Sequence, residues 1–166
     1  MSFSQGALTK TAPGDSTYIG THTGANGDVT DVNKTTTTSD GVRTVKTTYD
    51  NTATDKTTMV DKTYSTNPNG SKQVDTDTTG PNGKTVTSDQ TYTKDSNGYI
   101  KTGTITGPNG NTSTDNKDVT FTKDANGDIT RTMTGSVTGP NGGTKFIGNT
   151  ETYDKTVTPP TTPPTN

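Results

Sequence analysis

Apolar and polar residues alternate along much of the chain, and the alternation predicts strands. In the segment 129–138 every even position is Thr or Ser, and the odd positions carry Ile129, Arg131, Met133, Gly135 and Val137. A two-residue period of this kind is typical of a strand with one half-buried face. β-branched Thr suits the pleated surface. No segment keeps a 3.6-residue apolar period, so we expect no helix.

Two recurring blocks separate the predicted strands: Gly-Pro-Asn-Gly, and an aromatic residue followed by Thr-Lys-Asp-x-Asn-Gly. A type I turn favours Asp or Asn at its first position and Pro at its second, and a following Gly with positive φ completes a hairpin loop with a G1 bulge. The predicted turn-forming residues are Gly80, Pro81, Asn82, Gly83, Asn97, Gly98, Gly107, Pro108, Asn109, Gly110, Asn126, Gly127, Gly139, Pro140, Asn141 and Gly142.

The spacing of the blocks favours hairpins over a solenoid. Successive Gly-Pro-Asn-Gly blocks begin at residues 80, 107 and 139, so the repeat length changes along the chain. A solenoid with fixed coils would hold its period more tightly. The predicted fold is therefore all-β: an antiparallel meander of long strands joined by type I turns with G1 bulges, as a single sheet or a thin sandwich without helices.

Three segments are predicted. Residues 1–24 form an N-terminal arm and possible strand donor, because the stretch from Ser2 to Leu8 carries no turn signal; a frayed terminus is the alternative. Residues 25–153 form a Thr-rich β-hairpin repeat domain. Residues 154–166 form a Pro- and Thr-rich extended tail, because paired prolines favour polyproline II; a linker is the alternative.

The composition leaves few large apolar residues to form a core for this fold. Thr accounts for 45 of the 166 residues, and Leu, Ile, Val and Phe together for 19. So few large apolar residues are normally a sign of disorder. If the Thr residues occupy alternate strand positions, the same numbers argue against a self-sufficient monomer rather than against folding. No run approaches the roughly 20 apolar residues of a membrane span, and we expect none.

Charge and chemistry-bearing residues point away from catalysis. Acids and bases are interspersed with a net charge of −2, so we expect no basic stripe and no nucleic-acid partner. Cys is absent, and His22, the one His, is not part of a Ser-His-Asp pattern. The segment 124–128 superficially resembles a calcium loop, but Ile129 and Gly135 occupy the places where an EF-hand needs Gly and Glu. We expect no enzyme, no catalytic or metal-binding residue and no cofactor.

Exposed hydroxyl and amide groups suggest covalent glycans. Asn33, Asn69 and Asn111 lie in Asn-x-Ser/Thr sequons. O-glycosylation of the Thr face or of the tail is favoured over these sequons. The candidate tail sites are Thr158, Thr161, Thr162 and Thr165.

The Gly-Pro-Asn-Gly blocks and the alternating Thr of residues 66–145 resemble threonine-rich repeat segments of bacterial extracellular and cell-surface proteins. The Asp-x-Asn-Gly block is also similar to the tyrosine-aspartate repeats of toxin-encapsulating shells. The first resemblance implies a passive extracellular or cell-surface element. We therefore expect a structural subunit of an extracellular filament or surface appendage, assembled from identical copies through strand edges. The alternative is a monomeric binding module: an adhesin stalk, or a Thr face that resembles the ice-binding surface of antifreeze proteins at 102–106 and 130–134.

Overall fold

The computed structural model describes residues 2–153, which form one open sheet of eleven antiparallel strands. The strands lie side by side in chain order, from β1 at one edge to β11 at the other. Their bounds are β1 Phe3–Ala12, β2 Asp15–Thr23, β3 Val29–Ser39, β4 Val42–Asn51, β5 Lys56–Thr66, β6 Lys72–Thr79, β7 Thr85–Lys94, β8 Gly98–Thr106, β9 Thr112–Lys123, β10 Ile129–Thr138 and β11 Thr144–Tyr153.

The predicted all-β antiparallel meander is confirmed, and of the two predicted arrangements the molecule has the single sheet. The described residues include no helix. In residues 2–153 there is accordingly no helix long and apolar enough to cross a membrane.

Six of the connections share one hydrogen-bonding pattern. In the turn after β6, Gly83 N donates to Gly80 O at 2.9 Å, and Gly80 N donates to Lys84 O at 2.9 Å. Gly83 has φ +73°, as the bulge position of a type I turn with a G1 bulge requires. The same pair of bonds closes the turns that begin at Gly24, Asn67, Gly107, Asp124 and Gly139.

The turn at Asn97 and Gly98 departs from the prediction. Asp95 N donates to Gly98 O, and Gly98 is already the first residue of β8, without the expected positive φ. Glycine is needed here for a different reason, because a Cβ on Gly98 would lie 1.8 Å from the carbonyl oxygen of Val119. Gly98 therefore lets β8 approach the β9 backbone, and the predicted bulge is wrong at this one turn.

The predicted separate N-terminal arm is also wrong as a structural unit. Within the described residues, β1 pairs with β2 from Phe3 to Ala12, and β2 pairs with β3, so residues 2–24 continue the sheet. Gly14, with φ +88°, closes this first hairpin after Pro13. The predicted boundary between residues 24 and 25 is not found, and the predicted tail at 154–166 lies outside the described residues.

The sheet has almost no core of its own. Among the described residues, Val45 and Val119 are the buried hydrophobic side chains, at 6% and 1% exposure. Larger apolar side chains, such as Leu8 and Phe146, stay more than half exposed. A single layer covers each residue with its strand neighbours alone, so regular backbone pairing rather than apolar burial must hold the fold together.

Candidate interaction surfaces

The strand register sorts the charges by face. Because side chains alternate and the pairing is regular, the register assigns each strand residue to one of two faces. The face that carries Val45 and Val119 is named the basic face, because twelve Lys and Arg side chains of the strands lie on it and only Asp115 and Glu151 oppose them in charge. Its bases are Lys10, Lys34, Arg43, Lys56, Lys62, Lys72, Lys94, Lys101, Lys117, Lys123, Arg131 and Lys145.

The opposite surface is named the acidic face. It carries seven aspartates from β3 to β9 and, over those strands, a single base, Lys46. Most of its remaining positions are Thr. The aspartates are Asp31, Asp50, Asp61, Asp75, Asp77, Asp89 and Asp118. The interspersed charges of the sequence thus form two oppositely charged surfaces, and the expectation that there is no basic stripe is wrong.

All six tyrosines also lie on the basic face. The Arg43 guanidinium lies over the Tyr64 ring, 5.4 Å from its centroid, and the Tyr92 and Tyr99 rings are 6.1 Å apart. Tyr18 lies across Gly20, where a Cβ would come within 2.3 Å of the Tyr18 hydroxyl. Aromatic rings and cations therefore cover this face together, the combination that recognises anionic and ring-containing ligands.

A groove of about 920 Å³ runs across the basic face from β1 to β5. Its apolar floor includes Val32, Val45 and Val60. Its polar and aromatic lining includes Tyr18, Lys34, Arg43, Tyr49, Lys62 and Tyr64. Among residues 2–153 no carboxylate lines the groove, so its electrostatic potential favours an anionic occupant.

Three charged side chains form a cluster on β8 and β9. Lys101 and Lys117 lie directly opposite each other in the sheet, and the Asp115 carboxylate contacts both of their ammonium groups. The Asp115 carboxylate is 3.0 Å from Lys101 Nζ and 3.2 Å from Lys117 Nζ, and its side chain is only 10% exposed. Gly103, opposite Asp115, provides the room, since a Cβ there would lie 2.4 Å from Asp115 Oδ1.

The cluster changes the acidity of Asp115. Burial by itself raises the pKa of this carboxyl, but the hydrogen bonds and positive charges of Lys101 and Lys117 outweigh burial and hold the pKa below its usual value. The second oxygen, Oδ1, is buried and has no hydrogen-bond partner within residues 2–153. The ionised carboxylate is therefore what keeps two opposed lysines together.

The outer strands leave both edges of the sheet open. Every residue of β1 is exposed, and so is every residue of β11 except Ile147. On β11, Glu151 Oε2 accepts a hydrogen bond from the Tyr153 hydroxyl at 2.7 Å and lies 3.7 Å from Arg131 Nη1. The bonds from Tyr153 and from Asn149 lower the pKa of Glu151, so this carboxylate is ionised at neutral pH.

The predicted glycosylation sites are only partly covered by the described residues. Asn33, Asn69 and Asn111 are all exposed, the first within β3 and the other two at turns. The Asn69 side chain also accepts hydrogen bonds from the Ser71 backbone and hydroxyl. Thr158, Thr161, Thr162 and Thr165 lie outside the described part of the chain. Within residues 2–153, no group of three His, Asp or Glu side chains is arranged to hold a metal ion.

Comparison of the chain with protein-family models, curated proteins and solved structures finds no match. The functional argument therefore rests on the surfaces described above.

Proposed function

We propose that the chain is a structural subunit of an extracellular filament or surface appendage, built from identical copies that join at the edges of their sheets. The observation that carries the proposal is that residues 2–153 form a single-layer, eleven-stranded sheet with two open edges and only two buried hydrophobic side chains. Open edges present unpaired N–H and C=O groups to any strand of suitable length. A neighbouring copy would satisfy these groups and extend the sheet, and contacts that do not close a ring would give a filament.

The two oppositely charged faces support the same role. The basic face of one copy complements the acidic face of another, so stacked layers would attract rather than repel. The Thr hydroxyls of the acidic face would stay hydrated or carry O-linked glycans where no second layer covers them. The resemblance of the repeats to threonine-rich bacterial surface proteins supports a location outside the cell.

Negative-stain electron microscopy and light scattering of the full chain test this proposal. We expect filaments or extended sheets whose amount rises with protein concentration. Intact-mass measurement of native material would detect glycans at the same time. Monodisperse monomers at high concentration, with both termini intact, would contradict the filament.

The groove on the basic face supports a second candidate, a monomeric module that binds an anionic polymer. Three tyrosines and three cations line the groove, and ring stacking together with charge pairing is suited to an acidic polysaccharide. Calorimetric titration with an acidic polysaccharide tests this candidate, with a neutral polysaccharide as the comparison. We expect Arg43→Ala to weaken binding several-fold and Lys123→Ala, on the same face but outside the groove, to leave it unchanged. Equal affinity for both polymers would exclude this mode.

A further inference from the structure

We propose that β11 pairs with the β11 strand of a second copy, antiparallel about a twofold axis that runs midway between the Gly148 residues of the two copies. The inference rests on the proposed assembly through sheet edges and specifies the partner and the register of the β11 edge. Because a twofold pair closes on itself, a filament would continue through the β1 edges at the two ends of the pair. It is argued from the backbone groups that β11 leaves free, from the charges along the strand, and from the composition of the opposite edge.

The turn before β11 determines which backbone groups point outwards. Gly139 N donates to Gly143 O, so the pair 139/143 is hydrogen-bonded, and such pairs recur at every second residue of the β10–β11 ladder. The odd residues of β11 therefore bond to β10. The N–H and C=O groups of its even residues point away from the sheet, and these residues are Thr144, Phe146, Gly148, Thr150 and Thr152.

This pattern restricts the registers that two copies of β11 can adopt. An antiparallel pair needs an outward residue opposite an outward residue, so even positions must meet even positions. A twofold axis midway between the two Gly148 residues fulfils this condition. It places Gly148 opposite Gly148 of the partner subunit, Phe146 opposite the partner's Thr150, and Thr144 opposite the partner's Thr152. Each outward N–H then gains a carbonyl acceptor.

The charges of β11 select this register. Lys145 and Glu151 are the charged residues of the strand, and both lie on the basic face. They are equidistant from Gly148, so the axis places Lys145 of each copy directly opposite Glu151 of the partner subunit, twice. Within one copy, Lys145 has no carboxylate within ion-pair distance among the described residues, whereas Glu151 has Arg131 at 3.7 Å. A shift of two residues in either direction would break both intersubunit pairs.

The other edge offers Lys145 no such partner. β1 contains one charged residue, Lys10, and no carboxylate. In addition, with eleven alternating strands β1 and β11 run in the same direction, so head-to-tail joining of identically oriented copies would require a parallel pair. Parallel pairing is slightly less stable per residue than antiparallel pairing. Self-pairing of β11 is the arrangement that satisfies both its hydrogen bonds and its charges.

A single cysteine tests the axis directly, because the chain has no native Cys. In the full chain, Gly148→Cys places two thiols opposite each other, with Cα atoms about 5.5 Å apart, within the range of a disulfide. The site has room, since the nearest atom to an added Cβ is Met133 O at 3.5 Å. Thr152→Cys is the matched control: Thr152 lies on the same face and edge, but the two copies of it would be about 27 Å apart.

Under mild oxidation we expect Gly148→Cys to give a cross-linked dimer on a non-reducing gel and Thr152→Cys to stay largely monomeric. Equal cross-linking of the two variants, or none of Gly148→Cys while the protein assembles, would overturn the twofold pair. Filaments without Gly148→Cys cross-links would contradict the twofold pair but not the proposed function. Cross-linked dimers without filaments would support the pair and contradict the filament. Absence of both would contradict both proposals.

A charge swap tests the register independently. Lys145→Glu places two carboxylates opposite each other across the axis, and we expect it to weaken dimerisation about tenfold. The double variant Lys145→Glu with Glu151→Lys restores an opposite-charge pair and should restore dimerisation, as measured by sedimentation. Failure of the double variant to recover, with the circular dichroism of all variants unchanged, would exclude this register.

Discussion

Replacing Asp115 by Asn tests whether the lysine–aspartate cluster stabilises the sheet. The substitution keeps the shape of the side chain, so the room that Gly103 provides remains filled. It removes the charge that lies between Lys101 and Lys117 at 3.0 and 3.2 Å. The two lysines, directly opposite each other in the ladder, then face one another without a counter-charge.

The expected loss of stability depends on how far water can replace the carboxylate beside the two lysines. Removing one partner of a fully buried ion pair costs roughly 3–5 kcal/mol. Here the two lysine side chains are 15% and 26% exposed, so water can partly replace the carboxylate. We therefore expect the free energy of unfolding to fall by about 2 kcal/mol, which corresponds to a shift of about 1 M in the urea midpoint.

The assay is urea unfolding at one fixed protein concentration, because self-association changes apparent stability. Its pH dependence gives a second test. The pKa of Asp115 is lowered in the folded state, so its stabilisation is present above the unfolded pKa of about 3.9 and is lost as pH falls through the folded value. The difference between the wild type and Asp115→Asn should be constant from pH 7 down to about pH 5 and disappear at lower pH.

Asp118→Asn is the matched control. Asp118 lies on the acidic face of the same strand, is exposed, and is opposite the uncharged residues Thr134 and Ile100. We expect its effect to stay within about 0.5 kcal/mol. Equal midpoints for Asp115→Asn and the wild type at pH 7 would refute the argument that the cluster stabilises the fold.

Three further substitutions test the packing, the close strand approach and the turns by the same urea measurement. Val119→Ala should lower the free energy of unfolding by about 2 kcal/mol, because the substitution removes two methyl groups from a fully buried side chain. Val86 is 38% exposed, so Val86→Ala should lower the free energy of unfolding by less than half as much. Gly98→Ala should cost more than Val119→Ala, because its Cβ would lie 1.8 Å from a backbone oxygen; a smaller loss would mean that β8 can move away from β9 easily. Gly83→Ala should lower the free energy of unfolding by about 1–2 kcal/mol, because Gly83 has a positive φ that alanine resists. Gly80 has no positive φ and is the control, so equal stability of Gly83→Ala and Gly80→Ala would contradict that reasoning.

The strands and most turns could be predicted because their signals are local. A two-residue period and a Pro-Asn-Gly loop each act within a few residues, which is why the hairpins around Gly83, Gly110 and Gly142 agree with the sequence. The first hairpin was within reach of the same reasoning, since Pro13-Gly14 is a turn dipeptide. This dipeptide lacks the Asn-Gly signal of the later turns, and without that signal the N-terminal strand is predicted as a separate arm.

The two charged faces could not be predicted from residue order alone. Alternation places Asp115 and Lys117 on one face of β9, but which residues they meet depends on the register with β8. That register changes with a single residue in the connecting turn, and the turn at Asp95–Gly98, which connects β7 to β8, lacks the bulge that the sequence predicts. Charges that look interspersed along the sequence can therefore be assigned to the two faces only when the length of every turn is known.

The sorting of charge by face is costly for an isolated sheet, and this cost bears on the function. Like charges directly opposite each other are destabilising. On the basic face one opposed pair of bases occurs, Lys101 and Lys117, and Asp115 neutralises it. On the acidic face three pairs of aspartates lie directly opposite each other, and Lys46 is the single base beside them: the pairs are Asp31 with Asp50, Asp61 with Asp77, and Asp75 with Asp89. A monomer gains nothing from this arrangement, whereas a subunit gains an acidic surface that attracts the basic face of its neighbour. The unfavourable charge pairs therefore support assembly over a solitary binding module.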